Sequence, residues 1–134
     1  ADIYNNQGTR YNNPLFLTKA EEHIKKLLIF SPDRQDFNYI LALNWLYQGK
    51  YIESFDYFEK IFDADPKYFS ENGTGRAEGA YLLFVKHFYV IRDKDNFIRT
   101  AKRLEENNYA GSDTLDQIIK YINKTNNWPN ITFD

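Results

Sequence analysis

Apolar stripes at helical spacing alternate along this chain with short polar breaks that carry proline or glycine. From Pro14 onward, Leu17, Ala20, Ile24, Leu27 and Leu28 recur at intervals of three and four, the period of one helix face. Asn13 is a good cap and Pro14 is tolerated in a first turn, so the helix begins there. Ser31-Pro32 stops it, because the residue before a proline is pushed out of the helical region. A second helix is predicted over 35–48, closed by Gly49 as a left-handed cap, and a third over 51–63, ending before Pro66. Residues 67–75 read as a loop. The segment 76–92 is apolar on nearly every side (Tyr81, Leu83, Phe84, Val85, Phe88, Val90), which predicts a helix buried between neighbours. After "RDKD" comes a helix over 95–106 with Phe97, Ile98, Ala101 and Leu104 inward. After "NNYAG" comes a last one over 112–124 with Leu115, Ile118, Ile119 and Ile122 on one stripe. Residues 1–13 and 126–134 carry no period and read as an irregular lead-in and tail. No segment alternates with period two, so the expected fold is all-α, about six helices joined by short turns.

The pattern also repeats. Moved by 34 positions, Ala20 falls on Ser54, Ile24 on Phe58, Leu27 on Ile61, Leu28 on Phe62 and Pro32 on Pro66. Each pair keeps its size class. In the second copy, Leu41, Ala42 and Trp45 precede Ser54, Phe58 and Pro66 at the spacing L-G-x2-Y, then A-x3-F, then P. In this the chain resembles the tetratricopeptide repeat proteins. Asn38 departs from the pattern, standing where the family has tryptophan. The resemblance implies a superhelical stack of antiparallel helical hairpins. It would comprise a half repeat at 14–34, a full repeat at 35–68, a degenerate repeat at 69–107 and a capping helix at 112–124. Small residues at Ala42 and Ser54 would let the hairpin's two helices approach closely.

In that family the first helix of each repeat lines the concave surface. Carried onto 35–48, this selects Asp36, Tyr39, Leu43, Leu46 and Tyr47 as partner-binding candidates, a protein or peptide being the ligand the resemblance implies. The competing expectation is that the apolar helix 76–92, or the lead-in, fills that wall. Asp36, Leu43 and Leu46 do not form the basic clamp by which some such proteins hold an acidic tail.

Composition narrows the chemistry. Apolar residues make up 43% and aromatics 18% of 134 residues, enough to build a core without disulfides. Net charge is −2 with no basic track, which argues against nucleic acid as partner. Cysteine is absent, excluding thiol chemistry, and no apolar run reaches membrane-spanning length. His23 and His87 lack metal-ligand spacing, and "NGTGRAEG" (72–79) is neither a dinucleotide nor a P-loop motif. The carboxylates, such as Glu21-Glu22 and Glu105-Glu106, fall at solvated positions. No catalytic residue, cofactor or metal is expected. Asn-x-Ser/Thr triplets at Asn72, Asn123 and Asn130 occur about as often as chance allows among so many asparagines.

The chain lacks methionine and is rich in Asn, Lys, Ile, Tyr and Phe. With Ala1 as its first residue, the missing methionine points to an excised piece of a longer protein or a processed form, and the composition to an AT-rich, bacterial genome, with the compartment (cytoplasm or periplasm) unassigned. The expected role is a non-catalytic interaction module, self-association through an exposed end included. The alternative is a helical appendage of a membrane-bound glycan polymerase or ligase, whose soluble tails such degenerate repeats resemble.

Overall fold

In the computed structural model, residues 13–71 and 76–131 are described; all but the last residue of the expected lead-in at 1–13, the loop residues 72–75 and the tail end 132–134 lie outside them. The described residues are all-helical and contain no strand. The helices are α1 (Pro14–Phe30), α2 (Gln35–Tyr47), α3 (Tyr51–Ala64), the single turn α4 (Tyr68–Glu71), α5 (Arg76–Val90), α6 (Lys94–Glu106) and α7 (Ser112–Thr125). The chain divides into two compact units, 1–68 and 69–134.

In the first unit α1 packs on α2 and α2 on α3. The Asn13 side chain accepts from Leu15 N–H at 3.0 Å, and Pro14 opens α1 as expected. Leu17, Ala20 and Ile24 of α1 are buried. So are Leu41 and Ala42 of α2 and Phe55, Phe58, Ile61 and Phe62 of α3. Ala42 and Ser54 are both fully buried, and the Ser54 hydroxyl donates to the Ala42 carbonyl at 2.7 Å. Serine is therefore small enough for the close approach, and its polar atom is satisfied rather than stranded. Full burial of Phe58 is a contribution that truncation to alanine would remove at a cost of about 3–5 kcal/mol.

The endings of α1 and α3 are alike. Ser31 has φ −141°, ψ 68° and Asp65 has φ −144°, ψ 87°, and each precedes a proline. Ser31 N–H donates to Leu27 O, and Asp65 N–H donates to Ile61 O. Arg34 N–H then returns to Ser31 O, and Tyr68 N–H to Asp65 O. Every one of these groups moves onto its counterpart by the 34-position shift found in the sequence. Proline forces this ending, since the residue before it must leave the helix.

α2 closes differently. Gly49 adopts φ 80°, Gly49 N–H bonds Leu46 O and Lys50 N–H bonds Trp45 O, the Schellman arrangement that uses a left-handed residue. Residues 67–75, read above as loop, include the helical turn α4. Its first residue, Tyr68, packs edge-on to Tyr39 at 5.6 Å.

In the second unit α5 packs on α6 and α6 on α7. Tyr81, Phe84, Phe88, Phe97 and Leu104 are fully buried. The expectation that α5 is covered all round is corrected here. Leu83 and Val90, seven apart on one face, stay 44% and 72% exposed, so apolar composition overstated burial. α5 and α6 end in the same Schellman arrangement as α2, with Arg92 (φ 60°) and Asn108 (φ 62°) in the glycine position.

The tail is irregular in conformation, as read, but it is tied down. Trp128 sits edge-on to Tyr89 (5.6 Å between ring centres) and to Phe97 (5.3 Å). The Tyr89 hydroxyl donates to the Pro129 carbonyl and accepts from Ile131 N–H at 3.1 Å.

Candidate functional site

The five wall candidates lie on one helix, α2, and the structure treats them unequally. Tyr39, Leu43 and Leu46 are only 6%, 3% and 6% exposed. Tyr39 is spent on aromatic packing, edge-on to Phe58 at 5.4 Å and to Phe62 at 6.5 Å as well as to Tyr68. Asp36 is exposed and held by Arg34 through two hydrogen bonds, of 2.9 and 2.6 Å. It also accepts from Phe37 N–H at the start of α2. The Arg34 hydrogen bond, helped by the Arg34 charge, holds the Asp36 carboxyl below its ordinary pKa, against desolvation, which raises it. Tyr47, at 36%, is the exposed one of the two tyrosines. A side-chain stripe at helical spacing says which residues share a face; it does not say which neighbours cover that face, and here cover takes three of the five.

The first unit also has an open cleft of about 460 Å³, lined by none of the five and not anticipated from the sequence. It lies between the 31–34 turn, the start of α2 and the outer side of α3. Pro32, Ile61 and Ala64 give it apolar surface, and Asp33, Gln35 and Lys60 give it polar surface. Its back is a fixed lattice. The Asn38 amide donates to Pro32 O (3.1 Å) and Arg34 O (3.0 Å), and the Tyr57 hydroxyl donates to Asn38 Oδ1 at 2.6 Å. The Asn38 side chain offers two donors and two acceptor sites, and three of these four are used here. Burial raises the Tyr57 pKa. Among the described residues, Asp33, Gln35 and Lys60 make no side-chain hydrogen bond or ion pair, so an anion, a cation and an amide face the same cleft unspent. The signal in the sequence was weak: charged residues flanking a proline turn look like any solvated surface.

A second polar cluster joins α1 to the end of α2. Asn44, fully buried, donates to Leu17 O at 2.8 Å. Gln48 bridges Asn44 Oδ1 and Glu21 Oε1, and Glu21 meets Lys25 at 2.7 Å and Lys50 at 3.6 Å. Desolvation of Glu21 is the largest single influence and raises its pKa. The hydrogen bonds from Lys25 and Gln48 and the charges of Lys25 and Lys50 together outweigh it, leaving the pKa lowered. Every member faces another member, so the cluster serves to fix α1 against α2.

Among the described residues no group of three or more His, Asp or Glu side chains is arranged to hold a metal ion. No helix among the described residues is long and apolar enough to cross a membrane. Neither a family model, nor a curated protein, nor a solved structure matches this chain.

Proposed function

We propose that this chain is a non-catalytic protein-interaction module of the tetratricopeptide type, binding a protein or peptide through the first unit. The observation that carries the reading is the recurrence of one helix ending, dihedral by dihedral and hydrogen bond by hydrogen bond, at Ser31 and Asp65. A chain that writes the same helix twice with the same stop builds hairpins that expose a patterned surface, and such surfaces serve recognition. The partner face joins the exposed remainder of the α2 wall, Asp36 and Tyr47, to the cleft of Asp33, Gln35 and Lys60. The partner segment that fits carries both charges and an apolar side chain, to meet Lys60, Asp33 and the Ile61–Ala64 floor.

The test is site-directed crosslinking. A photoreactive residue at 35 or 60 should capture the same partner, and capture should be lost on Lys60→Glu with Asp33→Lys. A partner equally captured by that double variant and by Tyr47→Ala, both folded, would place recognition elsewhere. Tyr39→Ala is unsuited to the purpose because that ring belongs to the core.

A further inference from the structure

The tail of the second unit is held as a ligand is held. The single Tyr89 hydroxyl bonds two backbone groups of a non-helical segment, the carbonyl of Pro129 and the N–H of Ile131. One side chain, Trp128, enters between the rings of Tyr89 and Phe97, and the Arg92 guanidinium lies 4.6 Å from the Tyr89 ring centre and 5.5 Å from the Trp128 ring centre. Backbone pairing that ignores sequence, plus one aromatic anchor in a pocket, is the physics of extended-peptide recognition. Pro129 adds preorganisation, since it fixes its own φ and disfavours helix at Trp128, so little order must be imposed on docking. Receptor side chains and occupant share no helix: α5 and α6 supply Tyr89 and Phe97, Arg92 follows α5, and the occupant lies beyond α7.

We propose that the Tyr89–Arg92–Phe97 surface is a binding site for an extended peptide of the pattern aromatic-Pro-x-aliphatic. The chain's own Trp128–Ile131 plugs it and must leave before a partner segment enters. That the partner is a protein rests on the interaction-module reading; the site's geometry does not. A tethered occupant competes at an effective concentration on the order of millimolar, so a free peptide gains access only when the tail is loosened.

The probe is a fluorescently labelled peptide of the sequence Asn-Asn-Trp-Pro-Asn-Ile, titrated by anisotropy against the purified full chain. Two variants release the tail by different routes: Trp128→Ala empties the pocket, and Ile131→Pro removes the N–H that Tyr89 accepts from. Both should bind the peptide at least about tenfold more tightly than the unaltered chain, and adding Tyr89→Phe to either should remove most of that gain. If one variant fails to fold, the other decides. Equal binding by altered and unaltered chains overturns the plug, and no binding by a folded released variant overturns the site. A concentration-dependent dimer of the unaltered chain that Trp128→Ala abolishes also overturns it, by showing that the segment is exchanged between copies. None of these outcomes touches residues 33, 35 or 60, so the crosslinking test of the first unit stands or falls separately.

Discussion

At Ser54 two requirements meet: a side chain small enough for α2 and α3 to touch, and a partner for its hydroxyl, which the Ala42 carbonyl supplies at 2.7 Å. The two can be separated. Ser54→Ala keeps the size and loses the hydrogen bond, with an expected cost of about 0.5–1.5 kcal/mol. Ser54→Leu keeps neither and overpacks a fully buried position, with an expected cost of about 1–3 kcal/mol or more. Urea unfolding of both variants measures the difference, and equal costs would mean that size is not what the position selects. The spacing of small and large residues showed this contact in the sequence; the hydrogen bond that makes serine acceptable did not appear there. Glu21 presents the opposite case, an acid that looked solvated. Its folded pKa is lowered, so its contribution is complete above the ordinary carboxylate range and is lost as pH falls through the lower folded value. Glu21→Gln should therefore lower the melting temperature at neutral pH, by the equivalent of about 0.5–1 kcal/mol, with the gap to the unaltered chain closing in acid. A gap that stayed constant from neutral pH into acid would show that the carboxylate charge contributes nothing.

Helix ends were the most legible elements, and the reason is local. Pro32, Gly49 and Pro66 act on their own neighbours' backbone angles, so the stops follow without knowledge of the fold. Asn13-Pro14 works in the same way at the start of α1. Closures built from residues with no such restriction were hidden. Arg92 takes the left-handed position that Gly49 takes in α2, and nothing about arginine announces it. That position costs a non-glycine residue roughly 1 kcal/mol or more, and the ring contacts of its guanidinium return about 0.5–1 kcal/mol. The two nearly cancel, which predicts the outcome of Arg92→Gly: overall stability within about 1 kcal/mol of the unaltered chain, but a looser tail. Acrylamide quenching of Trp128, read in a Trp45→Phe background, should rise even though the urea midpoint barely moves. A stability loss well beyond 1 kcal/mol would mean that Arg92 holds more than the tail. The docked tail was illegible for the same reason as Arg92. Its hold depends on two hydrogen bonds to one hydroxyl some forty positions away, and no periodicity encodes that.

At the scale of the whole chain, the two tryptophans fall one in each unit, Trp45 in 1–68 and Trp128 in 69–134, so each unit carries its own optical reporter. Chains built of stacked helical hairpins derive stability from within-repeat and nearest-neighbour terms, and a defect weakens its surroundings more than distant parts. Phe58 is fully buried and packs on Tyr39 and Phe62, all inside the first unit. Phe58→Ala should lower the stability reported by Trp45, in a Trp128→Phe background, by about 3–5 kcal/mol. The stability reported by Trp128, in a Trp45→Phe background, should fall by clearly less. Phe97→Ala should reverse the order, with a direct effect on Trp128 because the two rings lie 5.3 Å apart. If instead both reporters moved by the same amount in both variants, the chain would unfold as one cooperative body. The hairpin-by-hairpin reading of its stability, which the 34-position recurrence motivates, would then fail although the helices themselves remain.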